Sequence, residues 1–191
     1  MDMDESLFIE RVRRGDAAAY EHLVKKYQAR LVVFLGNLLG SIDDARDVAQ
    51  EVFIRAFVQI NKFAPGRSFK AWLFAIAFNR GIDLLRKKRN FRRFWERSTA
   101  ALDIHPAGAG RSLDESFFWQ SILLRMTAQE RSVLALKYNE NCDSGEIAIA
   151  LGCSESTVRV HLLNARRKLK RELQAAGFVA GRKRPKTEEV P

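Results

Sequence analysis

Residues 68–95 read SFKAWLFAIAFNRGIDLLRKKRNFRRFW, with no proline and a single glycine, Gly81. So long a run without a breaker predicts one continuous helix. Ser68 can cap it, its hydroxyl accepting from the first free backbone N–H groups. Residues 69–78 are apolar on nearly every side, so the helix must begin inside a bundle. Asn79, Asp83 and Arg86 then follow at i, i+4 and i+7 and share one face. Cations threaded with rings come next: Arg86, Lys87, Lys88, Arg89, Phe91, Arg92, Arg93, Phe94 and Trp95. That mixture suits phosphate neutralisation with base stacking. A solvated helix end, its cations facing the negative end of the helix dipole, is the alternative.

The rest of the chain keeps the helical period. A short amphipathic helix over 6–14 ends at Gly15, and Asp16 can cap the next. Tyr20, Leu23, Val24 and Tyr27, then Leu31, Phe34, Leu35 and Leu38, mark a second helix running to Gly40. A third spans 43–61, with Val48, Val52, Phe53, Ala56, Phe57 and Ile60 as its apolar stripe. Its other face carries Asp43, Asp47, Gln50, Glu51 and Arg55. An acidic face would repel DNA, so it is either solvated or a protein-docking surface. KFAPGR, residues 62–67, is a loop. The period fails over 98–112 and resumes near Leu113, which marks a linker. No segment alternates like a strand, so the fold class is all-α.

Charge points to an anionic partner. The chain of 191 residues has a formal net charge of +10, and a pI of about 10.0. Residues 1–90 carry 16 cations and 11 anions, net +5, and residues 117–174 carry 9 and 6, net +3. Residues 91–116 balance at 4 and 4, so each half, not one tail, is basic. Cys142 and Cys153 form no CxxC pair and, with the three histidines, show no ligand spacing. No metal or cofactor is expected. The acidic start has no apolar signal core, and no run approaches the roughly 18 apolar residues of a membrane span. A cytoplasmic protein without membrane insertion is the expectation.

The most specific local pattern is EIAIALGCSESTVRVHLLNARRKLKREL, preceded by capping boxes at Thr127/Glu130 and Asp143/Glu146. Ala148 is small where a second helix must cross, Gly152 makes the turn, and Ser154 caps the following helix. Val158, Leu162, Ala165 and Leu169 form its inward stripe. This is the spacing of a helix-turn-helix. The outward residues are Thr157, Arg159, Val160, Leu163, Asn164, Arg166 and Arg167. The early members can reach base edges, and Arg166, Arg167, Lys168 and Lys170 suit phosphates.

Four stretches together resemble the bacterial RNA polymerase sigma factors of the extracytoplasmic-function (ECF) group: DDARDVAQEVFIRAF, the FxxWLFxIAxNxxxDLLRKKR pattern from Phe69, ERSVLALKY, and the helix-turn-helix. The resemblance implies two helical domains joined by a flexible linker. Residues 5–95 correspond to sigma region 2, 96–116 to the linker, 117–174 to region 4, and 175–191 to a disordered basic tail. It implies that Asp47, Gln50, Glu51 and Phe53 bind the clamp of core RNA polymerase, while the second domain sits on the flap. Lys62 and Phe63 fall in the loop that captures a base flipped from the −10 element, and Asn79 helps read it. Arg86, Lys87, Lys88 and Arg89 follow on the same −10 surface. Thr157, Arg159, Val160, Leu163, Asn164, Arg166 and Arg167 fall on the −35 helix. Partners implied are core polymerase, promoter DNA in double- and single-stranded form, and an anti-sigma factor. The helix VRVHLLNARRKL is less arginine-rich than is common in the group.

No carboxylate pair, nucleophile–base arrangement or phosphate-binding glycine loop is evident, so no enzyme is expected. The competing reading is a helix-turn-helix transcriptional regulator that does not bind core polymerase. A response regulator of that kind would alternate strands with helices in its first half, and this chain does not.

Overall fold

The computed structural model describes residues 3–98 and 115–176. Its helices are α1 (Met3–Arg13), α2 (Ala17–Leu39), α3 (Ile42–Gln59), α4 (Phe69–Ser98), α5 (Glu115–Leu124), α6 (Ala128–Leu134), α7 (Ser144–Leu151) and α8 (Glu155–Ala175). A 3₁₀ turn, Ile60–Lys62, follows α3, and α6 runs into a π turn, Ala135–Asn139. Among the described residues there is no strand. The linker and tail expectations fall mainly on 99–114 and 177–191, outside the described residues. Helical structure reaches slightly past the expected domain limits, to Ser98 and from Glu115.

Local chemistry fixes the helix ends. Asp16 accepts from the Ala19 N–H at 3.1 Å and starts α2, and Gly40 at φ +74° stops it. Ser41 caps α3, and Ser68 Oγ accepts from the Ala71 N–H at 3.2 Å to begin α4. Both predicted capping boxes form, Thr127 with Glu130 and Asp143 with Glu146. Gly152 turns at φ +62° between α7 and α8, where a side chain would be strained.

The first unit, α1–α4, packs around α2 and the first half of α4. Leu31, Phe34, Leu35, Leu38, Leu73 and Phe74 are sealed from solvent, and the Phe34 and Phe74 rings meet edge to face at 5.0 Å. Each such side chain contributes about 1.5–3 kcal/mol by burial. α1 is fastened at Tyr27, whose hydroxyl donates to Glu5 Oε1 at 2.6 Å beneath Lys26. Burial, with the Glu5 carboxylate beside it, holds that phenol well above its ordinary pKa. The second unit, α5–α8, buries Val133, Leu136, Ile147, Val158, Leu162 and Ala165. Burial there pushes the Cys142 thiol up to about 11.

The two units touch. The start of α4 meets α7, and the end of α2 meets α6. Arg131 is 7% exposed. Its guanidinium donates to Leu38 O at 2.8 Å, Met126 O at 3.1 Å and Leu123 O at 3.3 Å. One cation therefore gathers the carbonyl-rich ends of α2 and α5, where helix dipoles favour positive charge.

Gly81 sits where α4 crosses α2, and a Cβ there would lie 2.4 Å from Leu38 Cδ2. In an open helix, alanine would gain about 1 kcal/mol over glycine. Here Leu38 is fully enclosed, and overpacking costs about 1–3 kcal/mol. Gly81→Ala is therefore expected to lower the urea midpoint by the equivalent of about 1 kcal/mol, whereas a gain in stability would show that α2 and α4 do not cross this closely.

Candidate functional site

The acidic face of α3 is partly engaged by α4. Arg80 pairs with Glu51 through both Nε and Nη2, and Lys88 pairs with Asp44. The Lys88 ammonium, with the Ser41 hydroxyl behind it, holds the Asp44 carboxyl below its usual range against a small opposing effect of burial. Asp47 and Gln50 stay exposed, and Phe53 is half-buried. Beside them lies an open groove between α2 and α3, floored by Val24, Val32 and Ala49 and bordered by Val33, Phe53 and Ile54. Val33, Ile54 and Val58 are 51%, 66% and 73% exposed. Three aliphatic side chains this open on one side of a bundle mark an interaction surface. Of the groove residues the helical period marks Val24 and Phe53, and the resemblance assigns a docking role to Phe53 alone. Val33 and Ile54 fall between the buried positions of their helices, and that offset was the available signal.

The second surface follows α4 outward. Asn79, the next residue after Phe78, is exposed, whereas Phe78 is buried at 6%. Asp83, Arg86, Lys87, Lys88 and Arg89 continue along the exposed part of the helix. Arg86 lies 3.9 Å from Asp83, so the nearest anion to it is on its own helix. Lys62 is exposed in the loop before α4. Phe63 departs from the expectation of a presented ring. It is 3% exposed, with its ring 5.5 Å from Phe69 and 5.3 Å from Trp72. The reason is local: the loop is short, and a ring left in water would forfeit this aromatic cluster. Arg13 holds the loop from below by donating to Ile60 O and Phe63 O. Nothing in the spacing of α1 identified that role.

The third surface is the outer face of α8. Arg159, Val160, Leu163, Arg166 and Arg167 are exposed, while Thr157 and Asn164 are half-buried. Ser154 Oγ accepts from the Thr157 N–H at 3.2 Å and lies 2.8 Å from its hydroxyl, which fixes the first turn. Arg166 donates to the Tyr138 hydroxyl at 2.8 Å, with its guanidinium over that ring. Lys168, expected among the phosphate contacts, instead donates to Glu130 Oε2 at 2.7 Å. Burial raises the pKa of the Glu130 carboxyl, but Lys168 and the Thr127 N–H more than offset it and leave it below normal. The pair locks α8 against α6.

Among the described residues no cluster of His, Cys, Asp and Glu could hold a metal, and no helix is long and apolar enough to cross a membrane. Comparison with known proteins agrees with this geometry. Residues 23–91 match the family model for Sigma-70 region 2, and residues 119–169 match that for Sigma-70 region 4. The ECF RNA polymerase sigma factor SigW of Bacillus subtilis is 31% identical over 185 residues, spanning 91% of this chain and 99% of the relative. The structure of CnrH in complex with the cytosolic domain of CnrY has a TM-score of 0.69 at 26% identity, covering 90% of this chain and 98% of CnrH. The sigma factor RpoE of Bartonella quintana, in complex with the anti-sigma factor NepR, gives 0.64 at 26% identity, covering 81% and 96%. The chain belongs to the ECF sigma factors of RNA polymerase.

The packing of Phe63 has a direct test. Phe63→Ala should lower unfolding free energy by about 3–5 kcal/mol as the aromatic cluster loses a member. Phe63→Leu should cost less than about 1.5 kcal/mol. Equal stability of the alanine variant and wild type in urea would place the ring outside the core.

Proposed function

We propose that this sigma factor docks on the clamp of core polymerase through α2 and α3, reads a −35 element with α8, and captures unpaired −10 bases beside Asn79. It acts as a specificity subunit with no catalysis of its own, in the cytoplasm. One observation carries the reading: α4 buries Phe69, Ala71, Leu73, Phe74, Ala77 and Phe78 in the bundle, then exposes Asn79 and, about two turns further on, Arg86, Lys87, Lys88 and Arg89. A base leaves a duplex only if something replaces its pairing and stacking, a cost of a few kcal/mol. The Asn79 amide both donates and accepts, so it can meet the edge of an unpaired base. The cations beyond it can hold the neighbouring phosphates. Because Phe63 is folded inward, its part in this scheme is to fix the loop that carries Lys62, not to stack on the base.

The docking role rests on the apolar residues Val33, Ile54 and Phe53, with Asp47, Gln50 and Glu51 at the edge. An interface of this composition combines a water-excluding centre with a polar rim. Glu51 serves two ends here, since Arg80 already engages it. The second unit occupies the flap, which leaves the exposed face of α8 to DNA. By analogy with the Bartonella sigma factor, which has an anti-sigma partner, this chain is regulated by a protein that covers the same surfaces.

Asn79→Ala is expected to leave core binding and −35 duplex binding near wild type while lowering open-complex formation. A promoter mismatched at −10 should restore it only in part, because mismatch relieves unpairing and not base capture. Permanganate reactivity of unpaired thymines with the mutant holoenzyme measures this, and wild-type reactivity on the natural promoter would remove Asn79 from the role. On α8, Arg159→Ala should cost about 1–3 kcal/mol of discrimination at one or two base pairs. Arg167→Ala should weaken binding to all sequences alike and reduce the salt slope by about one. Identical behaviour of the two variants across a promoter panel would refute this division of labour.

A further inference from the structure

The outward side of α8 is not uniformly polar. Val158, Leu162, Ala165 and Leu169 pack toward the rest of the second unit. Ser156, Val160, Leu163 and Arg167 repeat the same spacing two residues earlier, and all four are exposed. An offset of two residues is about 200° around a helix of about 3.6 residues per turn, so this stripe lies nearly opposite the packed one. Its two central members are aliphatic, with Val160 55% and Leu163 49% exposed. Polar groups flank them. Arg159, 3.8 Å from Glu155, lies to one side, and Thr157 and Asn164 lie to the other.

Both aliphatic residues fall in the first nine positions of α8, the part of a recognition helix that meets base edges. A hydrocarbon side chain has one favourable partner there. In the major groove guanine offers acceptors, cytosine an N–H donor and adenine one of each, and thymine alone adds a methyl group. Facing any other edge, Val160 or Leu163 would strip water from a donor or acceptor and return no hydrogen bond. Facing thymine, it buries apolar surface on both sides of the contact. The surroundings of the pair suit a duplex. Arg167 continues the same stripe toward the phosphates, and hydrogen-bonding side chains stand at its edges.

We infer that Val160 and Leu163 determine specificity at the −35 element by reading the 5-methyl groups of two thymines. The inference rests on the promoter reading proposed above. Side chains three residues apart on a helix lie about 5–6 Å from each other, and bases stack about 3.4 Å apart along a strand. The two thymines therefore occupy neighbouring or next-but-one base pairs, on either strand. The arginines then act around a centre that no cation occupies, so discrimination at these two pairs is apolar and insensitive to salt.

Deoxyuridine in place of thymidine removes the methyl group and keeps the pairing and the O4 acceptor. Holoenzyme assembled from the full chain and core polymerase would select duplexes from a pool randomised upstream of a fixed −10 element. Each thymine of the selected −35 element, on both strands, would then be replaced singly by deoxyuridine. At two neighbouring or next-but-one positions binding should weaken by about fourfold each, the equivalent of about 0.8 kcal/mol for one buried methyl group. The other thymines should tolerate the change. In Val160→Ala the preference for thymine over uracil should vanish at one of the two positions, and in Leu163→Ala at the other. Both side chains are exposed, so neither truncation opens a cavity, and helix content should match wild type. A selected element without thymines at that spacing, a uracil scan neutral at every position, or a preference that survives both truncations overturns the inference. Truncations that weaken holoenzyme assembly and leave the thymine preference intact overturn it too, and assign the pair to a protein contact. A chain that binds no core polymerase removes the sigma reading instead, and the same scan on duplexes selected by the chain alone still decides whether α8 reads methyl groups.

Discussion

A single helix can be core at one end and surface at the other only if its environment changes abruptly along its length. In α4 that change falls between Phe78 and Asn79. Upstream, Phe69, Leu73, Phe74 and Ala77 are enclosed by the other helices of the first unit. Downstream, hydration takes over and the helix is held to α3 by Arg80–Glu51 and Lys88–Asp44. The close crossing at Gly81 lies at this changeover. It lets α2 support α4 one turn beyond the point where packing would otherwise end. The rigidity of the exposed half is therefore inherited from the buried half, which is what a surface presenting Asn79 at a fixed height requires.

The same helix also sets the relation between the units. Its first turn is occupied on two sides, by the aromatic cluster of Phe63, Phe69 and Trp72 and by α7. Ser68 serves both arrangements, as cap and as partner of Glu146. A polar residue at a helix start would need no partner beyond its own helix. That it has one ties the local signal that begins α4 to the long-range packing of the chain.

Most of the architecture was legible in the sequence because it rests on local chemistry. The caps at Asp16, Ser68, Thr127, Asp143 and Ser154, and the stops at Gly40 and Gly152, depend on neighbours within four residues. The stripe of Val158, Leu162, Ala165 and Leu169 followed from the helical period. What was not legible depends on residues far apart in the chain. The turning in of Phe63 requires Trp72 and the Arg13 anchor, and the diversion of Lys168 requires Glu130, 38 residues away. Arg131 reads as an ordinary helix-surface cation until Leu38 O, 93 positions earlier, comes within reach. The family resemblance named the surfaces, but the engagement of Glu51 by Arg80 and the aliphatic patch at Val33 and Ile54 belong to the packing of α2, α3 and α4.

The ion pair between Lys88 and Asp44 has a thermodynamic corollary for any polyanion that approaches α4. A cation already neutralised by a carboxylate holds fewer mobile counterions, and a phosphate that takes its place displaces Asp44 and not a salt ion. The ionic-strength dependence of binding counts released ions, so it registers Lys88 weakly and Lys87 and Arg89 fully. The displaced Asp44 carboxylate would then attract solution cations of its own. The charge visible along this helix thus overstates the entropy available from salt release, and part of the association becomes an exchange of one bound anion for another.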